Sequence, residues 1–340
     1  MKKRICTLLL ALCLTLGLLP AAAQAAGDGS GTFDTVRWTL DADGGLTVSG
    51  TGDLPDSAFA GRTDIVTVTF TGQVARIGRS AFAGCTQLRR VDGFGAVTCV
   101  MSQAFASCTA LTELAVPGTV TEIGTGAFSA CTGLTAVTLA PGVRSLGAYA
   151  FAACTALRRI DLPDGMTLLG SGLFSGCTAL TELPLPDDVA WVEPRLCENC
   201  TALQNIVLPA AMTEVPRGLL RGCTGLRRVT LQGAVTAVGD GAFAGCDALA
   251  DVYFTGTRAQ WDAVAVGANN ARLTAAAVHL SAPAHTYPEA WTVVRAPTCT
   301  DDGLRTRTCL DPGCGKTLSE TIPALGHDWD DGVIVRAPSG

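Results

Sequence analysis

FASCTALTELAVPGTVTEIGTGA, Phe105–Ala127, is one turn of a 23-residue period that begins again at Phe128. The phenylalanine position falls at Phe59, Phe82, Phe105, Phe128, Phe151, Phe174, Cys197, Leu220 and Phe243. The cysteine three residues later falls at Cys85, Cys108, Cys131, Cys154, Cys177, Cys200, Cys223 and Cys246, with Arg62 in its place in the first unit. Nine units in register without an insertion specify a repeat solenoid. One unit cannot bury its apolar residues alone, whereas stacked neighbours bury them in a continuous core.

Each unit reads in two parts. The first carries Leu111, Leu114 and Val116, or Leu134, Val137 and Leu139. The second carries Val120, Ile123 and Gly124, or Val143, Leu146 and Gly147. Pro117-Gly118 and Pro141-Gly142 lie between them and turn the chain. The prediction is a β-rich coil of two short strands joined by a corner and closed by a tight turn carrying Phe-x-x-Cys. Two units depart from this. At Cys197 and Leu220 the aromatic is missing, and the preceding residue grows to Leu196 and Leu219, so volume moves one position along. Glu193 and Pro216 replace the corner glycine there, which predicts a distorted corner.

The phrase Phe-x-x-Cys-Thr-x-Leu-Thr, continued by a Leu-Pro or Val-Pro corner and an Ile-Gly corner, resembles the BspA-like leucine-rich repeats of bacterial surface proteins. The resemblance covers residues 33–281. It implies a right-handed leucine-rich-repeat coil and adhesion to host or neighbouring-cell proteins.

Around the repeats (58–256) the chain divides into four further segments. Met1–Arg4 is basic, Ile5–Leu19 is apolar, and Ala23-Gln24-Ala25 is a small-x-small cleavage site, so residues 1–25 read as a secretory signal peptide. The apolar run is too short for a comfortable membrane anchor. Residues 26–57 read as a cap. After a polar lead at Ala26–Ser30, Val36–Leu40 and Leu46–Ser49 alternate around a glycine-containing turn as a β-hairpin, and Gly50, Gly52 and Pro55 turn the chain into the first repeat. Residues 257–281, with a short helix at Arg258–Val264 and a strand at Ala275–Leu280, read as the C-terminal cap. Residues 282–340 form a small Cys/His/Trp module resembling tandem β-rich repeats of bacterial surface proteins. Its opening (His285, Trp291, Val293–Pro297) recurs at His327, Trp329 and Val333–Pro338. The chain stops where a second copy would continue, so the sequence reads either as a fragment or as ending naturally there.

Removing the leader's three cations takes the formal charge from −6 to −9. That argues against nucleic-acid and acidic-membrane partners. No later apolar run is long enough to span a bilayer.

All three histidines (His279, His285, His327) lie at or beyond the C-terminal cap, so the solenoid offers no Ser-His-acid or Cys-His pairing for nucleophilic catalysis. No phosphate-cradling glycine loop precedes a helix, and no carboxylates pair as in a glycosidase. The chain does not read as an enzyme. Of fifteen cysteines, two lie in the leader and eight in the repeat column. Equivalent residues of adjacent coils lie about 4.8 Å apart, within disulfide reach. A column pointing one way suits packing better than bridging, so the ladder reads as buried free thiols. Cys299, Cys309 and Cys314 with His327, or with His285, have the donor set of a tetrahedral structural zinc site. The alternatives are one disulfide with a spare thiol, or free thiols. No other cofactor is implied.

For recognition, three features stand out. Arg90, Arg159 and Arg228 recur every three coils, and Glu113, Glu182 and Asp251 stand one coil further on. These read as exposed inter-coil ion pairs, or as a charged stripe that a ligand contacts. Leu168 and Trp191 occupy equivalent positions of adjacent coils and read either as an interface or as Trp191 folding over the corner at Glu193. Tyr253 is an exposed aromatic near the end. Together they point to an exported or cell-surface binding protein for an extracellular or host protein or a glycan. The alternatives are a stalk that displays other modules, or the binding part of a longer protein whose enzymatic domain is missing.

Overall fold

The computed structural model describes residues 29–189, 191–280, 287–298, 300–310 and 316–325, and the backbone of 328–330 and 333–336. The leader at 1–25 lies outside the described residues. The repeats build a β-solenoid in which both parts of each unit form strands that stack in parallel on their equivalents. On the first face Glu113–Val116, Ala136–Leu139 and Arg159–Asp161 pair with Val137 opposite Leu114 and Ile160. On the second face Glu122–Ile123, Ser145–Leu146 and Leu168–Leu169 pair in the same way. The period-2 alternation of strands turns Leu114, Val116, Val137 and Leu139 inward, where all are buried, and leaves Glu113 and Thr138 outside.

The Phe-x-x-Cys turn forms a third edge without regular strands. Its phenylalanines stack in a continuous column from Phe59 to Phe174, with centroids 5.3, 5.0, 5.2, 5.5 and 6.1 Å apart. The backbone pairs as well. The Phe82, Phe105 and Phe128 N–H groups donate to the Ala104, Ala127 and Ala150 carbonyls of the next coil, at 2.7, 2.7 and 2.8 Å. Each turn contains two left-handed residues four apart, such as Gln103 with Ser107 (φ 59° and 60°) and Tyr149 with Ala153 (φ 57° and 58°). Glycine fills many of these sites, as at Gly172 and Gly176. Non-glycine residues there accept a backbone cost of about 1 kcal/mol, which the surrounding ladder overrides.

Both ends of the solenoid are closed. At the N-terminus the hairpin forms as expected between β2 (Val36–Leu40) and β3 (Gly45–Leu54). Two differences appear. The expected polar lead gives way at its end to a further antiparallel strand, β1 (Ser30–Phe33), paired with β2. Gly50 and Gly52 also do not end the hairpin. With φ of 96° and 97° they bend β3 around a corner, so that it pairs with Thr67–Phe70 before the bend and Gln73–Ile77 after it. β3 is therefore cap and first coil at once. At the C-terminus the helix Arg258–Asp262 lays Trp261 against Phe254 (5.4 Å), as expected. The cap also contains the strand Ala265–Val266 and a second helix, Ala271–Ala275, which complete a further coil before Ala277–His279 pairs with Asp251–Tyr253.

Asn270 ends the turn ladder. Where the capping coil offers a side chain in place of a backbone carbonyl, Phe243 N–H donates to Asn270 Oδ1 at 3.0 Å, while Asn270 Nδ2 donates to Gly239 O (3.0 Å) and Gly267 O (2.9 Å). The side chain stands in for missing backbone, and Asn270 is one of the few buried polar residues.

The distortion expected at Glu193 and Pro216 lies elsewhere. Glu193 keeps the corner bond (N–H to Leu169 O, 3.0 Å) that Gly147 makes to Ile123 O (2.7 Å). Pro216 has no N–H to give, but the adjoining strand Glu214–Val215 still forms. The break falls in the coil between them and Arg159. There Leu183-Pro184-Leu185-Pro186 replaces a strand, because proline cannot donate to a ladder. Among the described residues the two sheets reach that coil through the single bridges Arg159–Glu182 and Leu169–Val192, and regular pairing resumes with Asn205–Val207 and Glu214–Val215. The volume swap expected in the same region does occur: Leu196, Cys197, Leu219 and Leu220 are all fully buried.

Residues 292–295, 303–308 and 317–322 form a three-stranded antiparallel sheet in the C-terminal module. Arg305 and Arg307 lie over the Trp291 ring at 4.8 and 4.1 Å. Lys316 pairs with Asp187 of the interrupted coil.

Two stability changes follow. Asn270→Ala leaves the Phe243 N–H buried and unpaired and is expected to cost about 2–3 kcal/mol in urea unfolding. Ala153→Gly relieves a left-handed alanine (φ 58°) and is expected to stabilise by about 0.5–1 kcal/mol in the same assay. A glycine substitution with no gain would show that the turn carries no backbone strain.

Candidate functional site

The side chains free to meet a ligand are those the stacking does not use, and the thiol column is not among them. Each ladder thiol is buried, and its Sγ–H donates to the carbonyl of the phenylalanine position one coil earlier. Cys108 bonds Phe82 O at 3.2 Å, Cys131 bonds Phe105 O at 3.2 Å and Cys154 bonds Phe128 O at 3.3 Å. The bond persists where phenylalanine is replaced, from Cys223 to Cys197 O (3.0 Å) and from Cys246 to Leu220 O (3.2 Å), because it uses backbone. The same carbonyl accepts the backbone N–H of its own coil's cysteine, as Phe82 O does from Cys85 (3.1 Å), so both lone pairs are engaged. The thiols are free, as expected for packing rather than bridging. Burial pushes Cys85, Cys131 and Cys246 up from 9.0 to about 12, and raises Cys108, Cys154, Cys177 and Cys223 as well. Contact with Cys197, ahead of burial, raises Cys200. Thiols held in the neutral form are poor nucleophiles and poor metal ligands.

The expected arginine–acid pairs form in one case of three. Arg159 pairs with Glu182 across the coils and with Asp161 on its own strand (2.7 Å). Arg90 instead pairs with Asp92, two residues along the same strand, and Glu113 stands exposed on the next coil. Arg228 lies over the Tyr253 ring (5.2 Å), and its intended partner Asp251 bonds His279 Nε2 (2.8 Å). A same-strand carboxylate or a neighbouring ring competes successfully with an acid one coil away. Tyr253 is accordingly not a free aromatic, since His279 stacks on it at 4.6 Å while Arg228 also lies over the ring. His279 joins this group through the cap strand, 26 residues after Tyr253, so a 23-residue period does not reveal it.

Leu168 and Trp191 do stand together on the outer second face. The bridge Leu169–Val192 sets them side by side, and they are 37% and 62% exposed. Trp191 Nε1 donates to Glu193 Oε1 (3.0 Å), which tethers the indole by its edge and leaves the ring in solvent. It does not fold over the corner. Arg159 is less open. It lines a cavity of about 400 Å³ whose other wall is the C-terminal module, with Val294, Thr306 and Thr308.

Of the four candidate zinc ligands, Cys309 is buried, with its N–H donating to Lys316 O (2.8 Å). Cys299, Cys314 and His327, as well as His285, lie outside the described residues. Among the described residues no cluster of three or more metal-binding side chains occurs, and no helix is long and apolar enough to cross a membrane.

The model of the BspA type leucine-rich repeat region matches the chain in six copies, over residues 52–177 and 144–265. Among solved structures, a leucine-rich repeat protein from Bacteroides ovatus is 22% identical, with a TM-score of 0.50 over 67% of this chain and 71% of its own. A leucine-rich cell surface protein from Faecalibacterium prausnitzii is 19% identical, with a TM-score of 0.41, covering 69% of this chain and 97% of its own. A T. pallidum leucine-rich repeat protein is 22% identical, with a TM-score of 0.36, covering 74% of this chain and 99% of its own. The Bacteroides likeness supports the fold. No curated protein matches the chain.

The thiol column has a pH signature. A group whose pKa is higher folded than unfolded stabilises the fold fully below its unfolded value and loses that contribution as pH rises toward its folded value. Unfolding free energy is therefore expected to fall between pH 9 and 12, less steeply in Cys131→Ala than in wild type. Urea titrations at fixed pH read the slopes, and equal slopes would remove the thiols as the cause. At pH 8 the eight ladder thiols should escape iodoacetamide until denaturant is added, as read by peptide mass spectrometry.

Proposed function

The chain belongs to the BspA-type leucine-rich repeat family, and on that premise we propose that it is an exported, cell-surface or secreted binding protein of adhesion type, without catalysis. The reading is supported most by the Leu168–Trp191 pair. An exposed leucine beside an exposed indole costs a monomeric protein solubility and contributes nothing to its core, whereas a contact surface uses such a pair directly. The solenoid supplies rigidity. Its core residues are committed to neighbouring coils, so the outward rows are held in place before a partner arrives, and little ordering entropy is lost on contact. The partner is an extracellular or host protein, or a glycan, since an indole face suits both. The leader at 1–25 supports export, and the chain's negative charge disfavours nucleic acid.

The test is capture of immobilised extracellular-matrix proteins and of a glycan array by the purified chain. Wild type is expected to bind at least one target, and Trp191→Ala to weaken that binding about tenfold or more. Leu168→Ala should add to the loss. Binding that Trp191→Ala leaves intact would place the contact elsewhere, and silence on both supports would favour a spacer that displays other modules.

A further inference from the structure

The turn edge of the solenoid carries mostly small residues, and in one stretch three arginines gather on it. Arg195, Arg217 and Arg221 line one concavity of about 500 Å³, together with Asp240 and the glycines 218 and 241. The column containing Arg221 is Ala or Ser in the other coils except at Glu198, and the column containing Arg195 carries no other charge. Among the three columns the only further cation is Arg79.

The backbone ladder holds the three arginines together. Arg195 N–H donates to Arg217 O (3.3 Å), and Arg221 N–H donates to Gly218 O (3.1 Å). The stem of Arg195 lies over Gly218, where a Cβ would come within 3.3 Å of its Cγ. The guanidinium groups are poorly neutralised. Glu198 is shared between Arg195 and Arg221 at 3.9 Å from each, too long for bidentate pairing, and Arg217 makes no ion pair among the described residues. Asp240 also faces the concavity, but its Oδ1 already accepts the Ala268 N–H (2.8 Å). Three cations against two carboxylates leave a local positive excess on a chain whose formal charge is −6.

We propose that Arg195, Arg217 and Arg221 form a binding site for phosphate or sulfate monoester groups carried on an extracellular polymer. Three arginines lining one concavity suit the terminal tetrahedral oxyanion of a monoester, whose three free oxygens can each accept; a carboxylate offers two. The acidic remainder of the chain repels polyanions, which confines attraction to this edge. The site lies on the turn edge, apart from the Leu168–Trp191 pair on the second face, and does not depend on that pair's role.

Binding of the full chain to immobilised starch phosphate, a polymer of phosphate monoesters, to heparin and to hyaluronan tests this. Capture by the phosphate polymer, by heparin or by both is expected, weakening as salt is raised, with hyaluronan bound at least about tenfold less. The first two surfaces distinguish phosphate from sulfate as the source. Arg217→Gln is expected to lower affinity about tenfold. Because the Arg217 side chain has no ion-pair or hydrogen-bond partner among the described residues, the thermal midpoint should stay at the wild-type value; Arg221→Gln provides a second variant with the same expected loss. Arg227→Gln, on the first face, should leave capture unchanged. The proposal is overturned if neither ester polymer binds, if hyaluronan binds equally well, or if Arg217→Gln and Arg221→Gln bind like wild type. It also falls if Arg227→Gln weakens capture as much as Arg217→Gln, since that would mean diffuse attraction.

Discussion

The structure rests on the hydrogen bond from the N–H at each phenylalanine position to a carbonyl of the next coil. The bond is short and regular, 2.7 to 3.0 Å from Phe59 to Leu220, and it is buried beside the aromatic column. Solvent cannot replace it, so breaking one leaves a desolvated donor and acceptor. The thiol of the next coil reaches back to the phenylalanine's own carbonyl, which also accepts its own coil's cysteine N–H, as Phe82 O does from Cys108 Sγ–H and Cys85 N–H. A cysteine fits because it is small, apolar enough to bury, and able to donate weakly. Insertion of a residue would shift donors, rings and thiols together, which accounts for nine units without a slip.

This edge continues where the sheets do not. At Pro184 and Pro186 the first face loses its strand, and the second face narrows to a single bridge. Across the same coils Phe174 N–H still reaches Leu196 O (2.8 Å), Cys197 N–H reaches Leu219 O (3.0 Å), and Cys200 Sγ–H reaches Phe174 O (3.1 Å). The solenoid is carried through its interruption by the turns. The ends obey the same requirement: β3 supplies strands for the first coil to pair with, and in the capping coil the amide of Asn270 takes the place of a backbone carbonyl.

Much of this is visible in the residues. The period, the inward Phe and Cys columns, the N-terminal hairpin and the capping Trp261 follow from spacing and side-chain type, because burial in a solenoid is decided by position within the repeat. The surface is harder to read. Arg90, Arg159 and Arg228 share one repeat position yet end with three different arrangements: Asp92 for the first, Glu182 with Asp161 for the second, the Tyr253 ring for the third. Exposed charge pairs differ by fractions of a kcal/mol, so neighbours two residues away compete evenly with those one coil away. Tyr253 was open to solvent only as long as His279 had no place, and its place comes from a cap that leaves the 23-residue period.

The sequence by itself determined the coil: its length, its strands and corners, its core columns and the order of its caps. The repeat states the coil nine times, and hydrophobic burial and turn chemistry act through local spacing. The tertiary structure alone decided which turn residues are left-handed, where the sheets part, that Asn270 ends the ladder, and which outward side chains remain unpaired. Those depend on what the adjacent coil presents at a given height, and stacking brings together residues that the chain separates by 23 positions or more.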